Sequence, residues 1–193
     1  VHGTVGGEEL HFERLGDRVF ESLAPAPMDG DTLLEASFRV VYAAGGEKRL
    51  RASVPVQPGD YPLERLTVAP RFGAPPDSAD RARLERDREK SAAAAVRAHR
   101  TPRIRDETVV MPRSSVVTGG FGDGGSFNGQ LSSRHMGLDL RGARGDTVVA
   151  ATRGVVELVE PFLLAGNVVY LNHCAGLLSA YFHLSRQLVE VGD

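Results

Sequence analysis

Short apolar runs separated by single glycines and prolines are the feature of this sequence that most restricts its fold. The 22 glycines and 11 prolines are spread along the 193-residue chain instead of being pooled in one segment. Because both residue types favour turns, the runs between them suit short strands. With 41% hydrophobic and 25% charged residues, the composition excludes collagen, coiled coil and wholesale disorder. The sequence therefore predicts a mostly β protein.

Residues 1–74 show a pattern of strands and turns. The clearest predicted strands are 37–43, 50–56 and 63–69. Gly45 and Gly46 stand between the first two and predict a two-residue hairpin turn, since glycine tolerates the positive φ angles that such turns require. We predict a small antiparallel β-sandwich-like domain over residues 1–74.

Residues 75–108 are predicted to form a helical linker. Ser78 can cap a helix that runs to about His99, and charges of alternating sign fill residues 80–90. This pattern favours a solvated connecting helix. Arginine-rich helices can bind nucleic acid, but the interleaved acids cancel most of the field and the net charge of the chain is −2, so no nucleic-acid partner is predicted.

Strand-like runs return after residue 108, at 115–118, 147–151, 155–160, 167–173, 177–184 and 188–191. They predict a second β-rich domain over residues 109–193. No apolar run in the sequence approaches the roughly 18 residues of a membrane-spanning helix, so no membrane span is predicted. Cys174 is the only cysteine, which excludes an internal disulfide and leaves His, Asp or Glu as the ligands of any metal site.

The segment from His135 to Asp139 alternates polar or small residues with apolar ones. On a strand, His135 and Asp139 would share one face. Met136 and Leu138 would then pack on the other face. An imidazole and a carboxylate two strand steps apart can converge on one divalent cation such as zinc. The same pair also fits a surface histidine beside an acid.

Residues 177–184 (LLSAYFHL) alternate in a similar way. The even-numbered residues from 178 to 184 are apolar and are predicted to pack, whereas Tyr181 and His183 share the opposite face. A histidine in this position can serve as a general base, a proton donor or a stabiliser of oxyanion charge. It can equally be an exposed strand residue.

Several segments occur in an order that resembles the M23 metallopeptidases, the LytM or lysostaphin-like group. The resemblance covers about residues 110–193 and rests on Phe121-Gly122, Phe127-Asn128-Gly129-Gln130, His135-x-Gly-x-Asp139, 145–151 (GDTVVAA), Gly154-Val155-Val156, Gly166-Asn167-Val168-Val169, His173 and 181–185 (YFHLS). Several ordered motifs are more specific than any one of them.

This resemblance implies an M23-type antiparallel β-sheet domain and a zinc endopeptidase that hydrolyses peptide bonds of peptidoglycan by metal-activated water. His135 and Asp139 match the first two zinc ligands of the family, and His183 matches one catalytic histidine. Asn128 hydrogen-bonds the substrate backbone, blocks a metal position as an asparagine does in some family members, or is simply a turn residue. A peptidoglycan substrate implies a periplasmic or extracellular location in the cell envelope, and no oligomeric state is specified.

The third zinc ligand and the other catalytic histidine of the family lie in a later His-x-His motif. After Asp139 this chain has only His173 and His183. We therefore expect a C-terminally incomplete domain that is weakly active or inactive as it stands. As the explanation for the missing motif, we favour a shortened chain over a degenerate homologue. The alternative function is a non-catalytic M23-like module that binds peptidoglycan or regulates a hydrolase. A His-x-His motif encoded after Asp193 would favour the peptidase.

Overall fold

Strands make up most of the regular structure. The computed structural model describes residues 1–28, 33–66, 76–100, 103–104, 108–127 and 130–193. The chain forms two units, Val1–Asp60 and Tyr61–Asp193. Short antiparallel strands dominate both units, so the prediction of a mostly β protein is confirmed.

The first unit is built on one antiparallel sheet. Its described strands are β1 (His2–Val5), β2 (Glu8–Glu9), β3 (Glu13–Gly16), β4 (Val19–Glu21), β5 (Leu33–Val41) and β6 (Glu47–Pro55). The sheet has the order β2-β1-β5-β6, and β3 pairs with β4 in a separate hairpin. Alternate residues of β5 face the core, where Ala36 is buried against Val5 and Leu10.

The β5–β6 hairpin is present where the sequence predicts it. Gly45 and Gly46 have φ angles of +90° and +99°, as expected of glycines in a hairpin turn. The ladder ends at the pair Val41–Glu47, so the connection has five residues, 42–46. The prediction of a two-residue turn is wrong, because Tyr42 and Gly46 close a wider loop through a backbone hydrogen bond of 3.1 Å.

The described residues of the second unit form three sheets. Its described strands are β7 (Leu63–Leu66), β8 (Val117–Gly119), β9 (Gly124–Phe127), β10 (Gln130–Arg134), β11 (Asp139–Leu140), β12 (Val155–Phe162), β13 (Gly166–Cys174) and β14 (Leu177–Leu184). The orders are β10-β9-β7, β11-β8 and β12-β13-β14. β7, predicted as part of the first domain, pairs in parallel with β9. Residues 67–75 lie outside the described residues, so the predicted boundary at residue 74 stays a prediction.

Two predicted strands of this unit are absent from the described structure. Residues 147–151 and 188–191 have no strand conformation. The backbone–backbone hydrogen bonds described for residues 147–151 are isolated ones, from the Val149 N–H to the Pro112 carbonyl and from the Val110 N–H to the Ala151 carbonyl. An alternating apolar pattern does not produce a strand unless a neighbouring strand forms a continuous ladder of backbone hydrogen bonds with it.

The β12-β13-β14 sheet contains the core of the second unit. One face buries Val156, Val169 and Leu171, and the other buries Leu158, Phe162 and Val168. Adjacent residues of β13 therefore face opposite sides, as a strand requires.

The single helix of the described residues, α1 (Ser78–Ala98), packs on this sheet. Asp77, not Ser78, caps it: the Asp77 carboxylate accepts the backbone N–H of Asp80 at 2.8 Å. The prediction of a solvated connecting helix is wrong for one face of α1, because Ala94 and Ala98 are completely buried. No helix among the described residues is both long enough and apolar enough to cross a membrane.

Polar groups surround the two buried alanines of α1. Lys90 forms an ion pair with Glu160, and Arg97 forms one with Glu157. These contacts join α1 to β12. The Ser91 hydroxyl lies 3.0 Å from the Tyr170 hydroxyl on β13. These contacts between α1 and the sheet are thus made by polar residues around small buried ones, which explains why the sequence shows no strong apolar stripe there.

Candidate functional site

Two of the predicted site residues are in direct contact. His135 Nε2 lies 3.2 Å from Asp139 Oδ1. His135 follows the last residue of β10 and Asp139 is the first residue of β11, while the residues between them belong to no strand. The prediction that one strand presents both residues is therefore wrong. The backbone bends at Gly137, and the two side chains meet across the bend.

The predicted apolar face beside this pair is also wrong. Met136 is 70% exposed and Leu138 is 47% exposed. Because residues 135–138 are not a strand, their side chains do not alternate between two faces. Neither apolar side chain is buried within the described part of the chain.

The protonation of the His135 ring follows from its hydrogen bond. His135 Nδ1 lies 2.9 Å from the Gly120 carbonyl oxygen. A carbonyl only accepts, so Nδ1 carries the proton and Nε2 of the neutral ring keeps its lone pair. That lone pair and the Asp139 carboxylate are both electron-rich. Two such groups 3.2 Å apart repel each other unless a proton or a metal cation lies between them.

Zinc fits this donor set. Imidazole nitrogen and carboxylate oxygen are both common zinc ligands. A ligating histidine usually donates its other ring N–H to a carbonyl or carboxylate, which fixes the tautomer. The Gly120 carbonyl provides that contact for His135. His135 and Asp139 can therefore provide two ligands to one zinc ion.

Asp139 is held next to a glycine on the neighbouring strand. In the β8–β11 pair, Asp139 lies opposite Gly119. A Cβ atom on Gly119 would lie only 2.8 Å from Asp139 Oδ2, closer than real Cβ contacts allow. Glycine at position 119 therefore leaves room for the Asp139 carboxylate. No motif in the sequence indicates this requirement.

His183 lies at an irregular point of β14. Residues 181 and 184 pair with Val169 and Asn167, so three residue steps on β14 face two on β13. His183 has a φ angle of +55°, which is uncommon for residues other than glycine. The His183 N–H donates to the Ala165 carbonyl at 2.8 Å. The histidine is exposed.

This bulge overturns the predicted alternation of residues 177–184. Tyr181 and Leu184 both pack against the core cluster around Val169. Phe182 points elsewhere, with its ring 5.9 Å from the ring of Tyr170. An extra residue in a strand shifts the side chains that follow it to the other face. Tyr181 and His183 therefore do not follow the simple alternation predicted for them.

Comparisons with known proteins find a family similar to the part of the chain that contains His135 and Asp139. Residues 133–193 match the family model described as Peptidase family M23. We call residues 133–193 the M23 segment, because they are similar to that family. The peptidoglycan DD-endopeptidase ShyC of Vibrio cholerae serotype O1 is 37% identical over 65 residues, which are 34% of this chain. The chain spans 15% of the length of that relative.

A solved structure resembles the chain over its whole length. The crystal structure of a candidate peptidase M23 from Pseudomonas aeruginosa has a TM-score of 0.70, with 19% identity, and the match covers 100% of this chain and 70% of that one. At this identity the similarity shows the fold. The M23-type fold predicted from the sequence is confirmed.

The M23 segment contains part of the predicted metal site. Among the described residues, no group of three His, Cys, Asp or Glu side chains is arranged to hold a metal ion. His135 and Asp139 are together, but His183 does not join them in such a group. Asn128, the predicted substrate-binding residue, lies outside the described residues, and its role stays a prediction.

His173 in the M23 segment has a structural environment. It is 2% exposed, and both ring nitrogens are hydrogen-bonded: Nδ1 to the Arg153 carbonyl at 2.7 Å and Nε2 to the Ser179 hydroxyl at 2.8 Å. A buried histidine with both nitrogens satisfied stabilises the fold. The interpretation of His173 as structural agrees with these contacts.

Proposed function

We propose that the M23 segment is part of a zinc-dependent endopeptidase that hydrolyses peptide bonds of peptidoglycan. The contact between His135 Nε2 and Asp139 Oδ1 carries the proposal, because two donor atoms this close can bind one zinc ion. The match of the segment to the family model of M23 peptidases supports peptidase activity. The peptidoglycan substrate is supported by the similarity to ShyC.

The two ligands have separate parts in this proposal. His135 offers the Nε2 lone pair because the Gly120 carbonyl holds the proton on Nδ1. Asp139 offers a negative oxygen and is 65% exposed, so a substrate can approach it. When bound, zinc supplies Lewis acidity toward a carbonyl and a nucleophile at neutral pH. Catalytic zinc sites use about three protein ligands, so the proposal requires a third ligand besides His135 and Asp139.

His183 is the proposed acid–base group. Its side chain is exposed, and imidazole can take up or release a proton near neutral pH. The hydrogen bond from its N–H to the Ala165 carbonyl fixes the backbone and leaves the ring to face a substrate. In this role His183 moves a proton at the scissile peptide without acting as a metal ligand.

The proposed substrate also suggests a location. Peptidoglycan lies in the cell envelope, so an enzyme that hydrolyses it acts in the periplasm or outside the cell. The proposed partners are the peptide portions of peptidoglycan.

Zinc titration calorimetry tests the ligand assignment. His135→Ala and Asp139→Ala should each weaken zinc binding by at least about tenfold, because each removes one of the two proposed ligands. His2→Ala is the matched control, since His2 is an exposed histidine of the first unit and its loss should leave the affinity unchanged. Equal affinity in all three variants would contradict the site.

Digestion of purified peptidoglycan tests the activity. The chain, together with any residues encoded after Asp193, should release muropeptides with zinc and not with a chelator. His183→Ala should abolish release while leaving zinc affinity unchanged, which separates an acid–base role from a ligand role. A protein that neither binds zinc nor releases muropeptides would contradict the proposal.

The second candidate is a non-catalytic module that binds peptidoglycan or regulates a hydrolase. It is favoured by the finding that the described residues contain no group of three metal-binding side chains. Co-sedimentation with peptidoglycan distinguishes the two. Binding that persists with a chelator, without release of any muropeptide, supports the module.

A further inference from the structure

A turn from Gly120 to Asp123 lies directly beside His135, and the Asp123 side chain closes it. Asp123 Oδ2 accepts the backbone N–H of Gly120 at 2.6 Å. The Asp123 N–H lies 3.4 Å from the Gly120 carbonyl oxygen, which is long for a hydrogen bond. The carboxylate therefore makes the stronger of the two contacts that close this turn.

The same turn contacts His135 at three atoms. The His135 N–H donates to the Asp123 carbonyl at 2.7 Å, and the His135 carbonyl accepts the Gly122 N–H at 2.7 Å. His135 Nδ1 donates to the Gly120 carbonyl at 2.9 Å. The backbone and the ring of His135 are thus both oriented by four consecutive residues.

The turn continues into the glycine that borders Asp139. Gly119 lies opposite Asp139 in the β8–β11 pair, and a Cβ on Gly119 would lie 2.8 Å from Asp139 Oδ2. A Cβ on Gly120 would lie 3.3 Å from both carboxylate oxygens of Asp123. The two glycines therefore sit between the Asp139 and Asp123 carboxylates, with His135 bonded to the second glycine.

We propose that Asp123 is a positioning residue for His135 and Asp139. It fixes Gly120, and Gly120 in turn fixes the tautomer of His135 and the path of Gly119 past Asp139. That the bound cation is zinc rests on the proposed function, whereas the orientation of the His135 ring by Asp123 does not. Without the Asp123 carboxylate, Gly120 is free to turn its carbonyl away from Nδ1, and the ring can place its proton on Nε2. That tautomer has no lone pair at Nε2 for a cation.

Long-range ¹H–¹⁵N spectra of the metal-free protein report the tautomer of His135 directly. The wild-type chain should show one form, with the proton on Nδ1. Asp123→Ala should show a mixture of both tautomers. Asp123→Glu should do the same, because its carboxylate keeps the charge but is one methylene too long to close the turn. Asp123→Asn should remain like the wild type, since the amide oxygen can accept the Gly120 N–H.

A second turn of the chain provides the matched control. Asp146 Oδ2 accepts the Ala143 N–H at 2.7 Å, and the Asp146 N–H donates to the Ala143 carbonyl at 3.1 Å. Asp146→Ala removes the same kind of contact, and also the bond from Arg113 to Asp146, without touching the turn at His135. It should leave the His135 tautomer unchanged.

Zinc titration of the same variants gives the second measurement. Asp123→Ala and Asp123→Glu should weaken zinc binding by about tenfold, at the lower end of the effect of residues that orient metal ligands. Asp123→Asn and Asp146→Ala should change it by less than about threefold. If Asp123→Ala does not fold, Asp123→Glu decides the question.

A single Nδ1–H tautomer in both Asp123→Ala and Asp123→Glu would overturn the inference. A mixture of tautomers in Asp146→Ala would also overturn it, because the tautomer would then respond to a general loss of structure and not to the loss of the Asp123 contact. If the tautomer changes as expected but the wild-type chain binds no zinc, the proposed function fails and the positioning role of Asp123 stands.

Discussion

His173 Nε2 lies 2.8 Å from the hydroxyl oxygen of Ser179. The contact begins a half-buried chain of hydrogen bonds, because Ser179 Oγ is 3.1 Å from the Tyr181 hydroxyl, which accepts the Ala151 N–H at 2.7 Å. On the other side of the ring, Nδ1 donates to the Arg153 carbonyl. The network ties β13 and β14 to residues 151–153, a segment with no strand of its own.

We expect His173→Ala to destabilise the second unit by about 2–4 kcal/mol, because it leaves a cavity and unsatisfied polar groups. Ser179→Ala should cost less, about 1 kcal/mol, since it removes a hydroxyl from the middle of the network. Urea unfolding followed by circular dichroism measures both. A His173→Ala variant as stable as the wild-type chain would show that the network does not stabilise the fold.

Packing of α1 on the sheet can be tested with two neighbouring alanines. Ala94 is completely buried, so Ala94→Leu should destabilise the protein by about 1–3 kcal/mol through overpacking. Ala93 is exposed, and Ala93→Leu should change the free energy of unfolding by less than about 0.5 kcal/mol. Equal effects of the two substitutions in urea unfolding would mean that the helix does not dock through Ala94.

The sequence predicts the existence of α1 and not its environment. Helical propensity and capping residues mark its ends to within one residue, since they act locally. Docking depends on Ala94 and Ala98 and on ion pairs to Glu157 and Glu160. Alanines carry little hydrophobic signal, and both acids lie about 60 residues or more along the chain. No local pattern in the sequence reveals such contacts.

Gly119→Ala should displace Asp139. The new methyl group would lie 2.8 Å from Asp139 Oδ2, so the carboxylate must move away from its present contact with His135. We expect zinc affinity to fall by about tenfold. Gly16→Ala is the matched control, because no atom lies within 4 Å of its Cβ position. Calorimetry that shows the same affinity for both variants would contradict the role of Gly119.

The candidate site could be predicted in part, for a physical reason. His135 and Asp139 are four residues apart, so almost any bend between them leaves the two side chains close enough to touch. Their contact is therefore present although the segment is not a strand. The direction of the His183 side chain depends on how β14 pairs with β13, because a bulge there changes which face of the sheet each residue lies on. A bulge is set by the partner strand, which an alternating sequence does not specify.

The Asp146 carboxylate should make stability depend on pH in acid. The Ala143 N–H, and to a lesser degree Arg113, hold the pKa of Asp146 below its ordinary value of 3.8. A group with a lowered pKa stabilises the folded state above its unfolded pKa, and this contribution is lost as pH falls through the folded pKa. The stability difference between wild type and Asp146→Asn should therefore be constant near neutral pH and shrink below 3.8.

Urea unfolding of both proteins at a series of pH values measures this difference. Arg113→Ala should reduce the pH effect without removing it, because the bond from the Ala143 N–H is the larger cause. A stability difference that grows as the pH falls would have the wrong sign and would rule out the explanation.

The zinc affinity of the 193-residue chain itself is the most direct measure of how much of the site it contains. The described residues provide His135 and Asp139 and no group of three ligands. Because catalytic zinc sites use about three protein ligands, the dissociation constant should be micromolar or weaker. The affinity should also fall in acid, because metal ligands must be deprotonated to bind zinc. A tight site with one zinc per chain would mean that another residue completes the coordination, and zinc titration of His183→Ala would show whether it is His183.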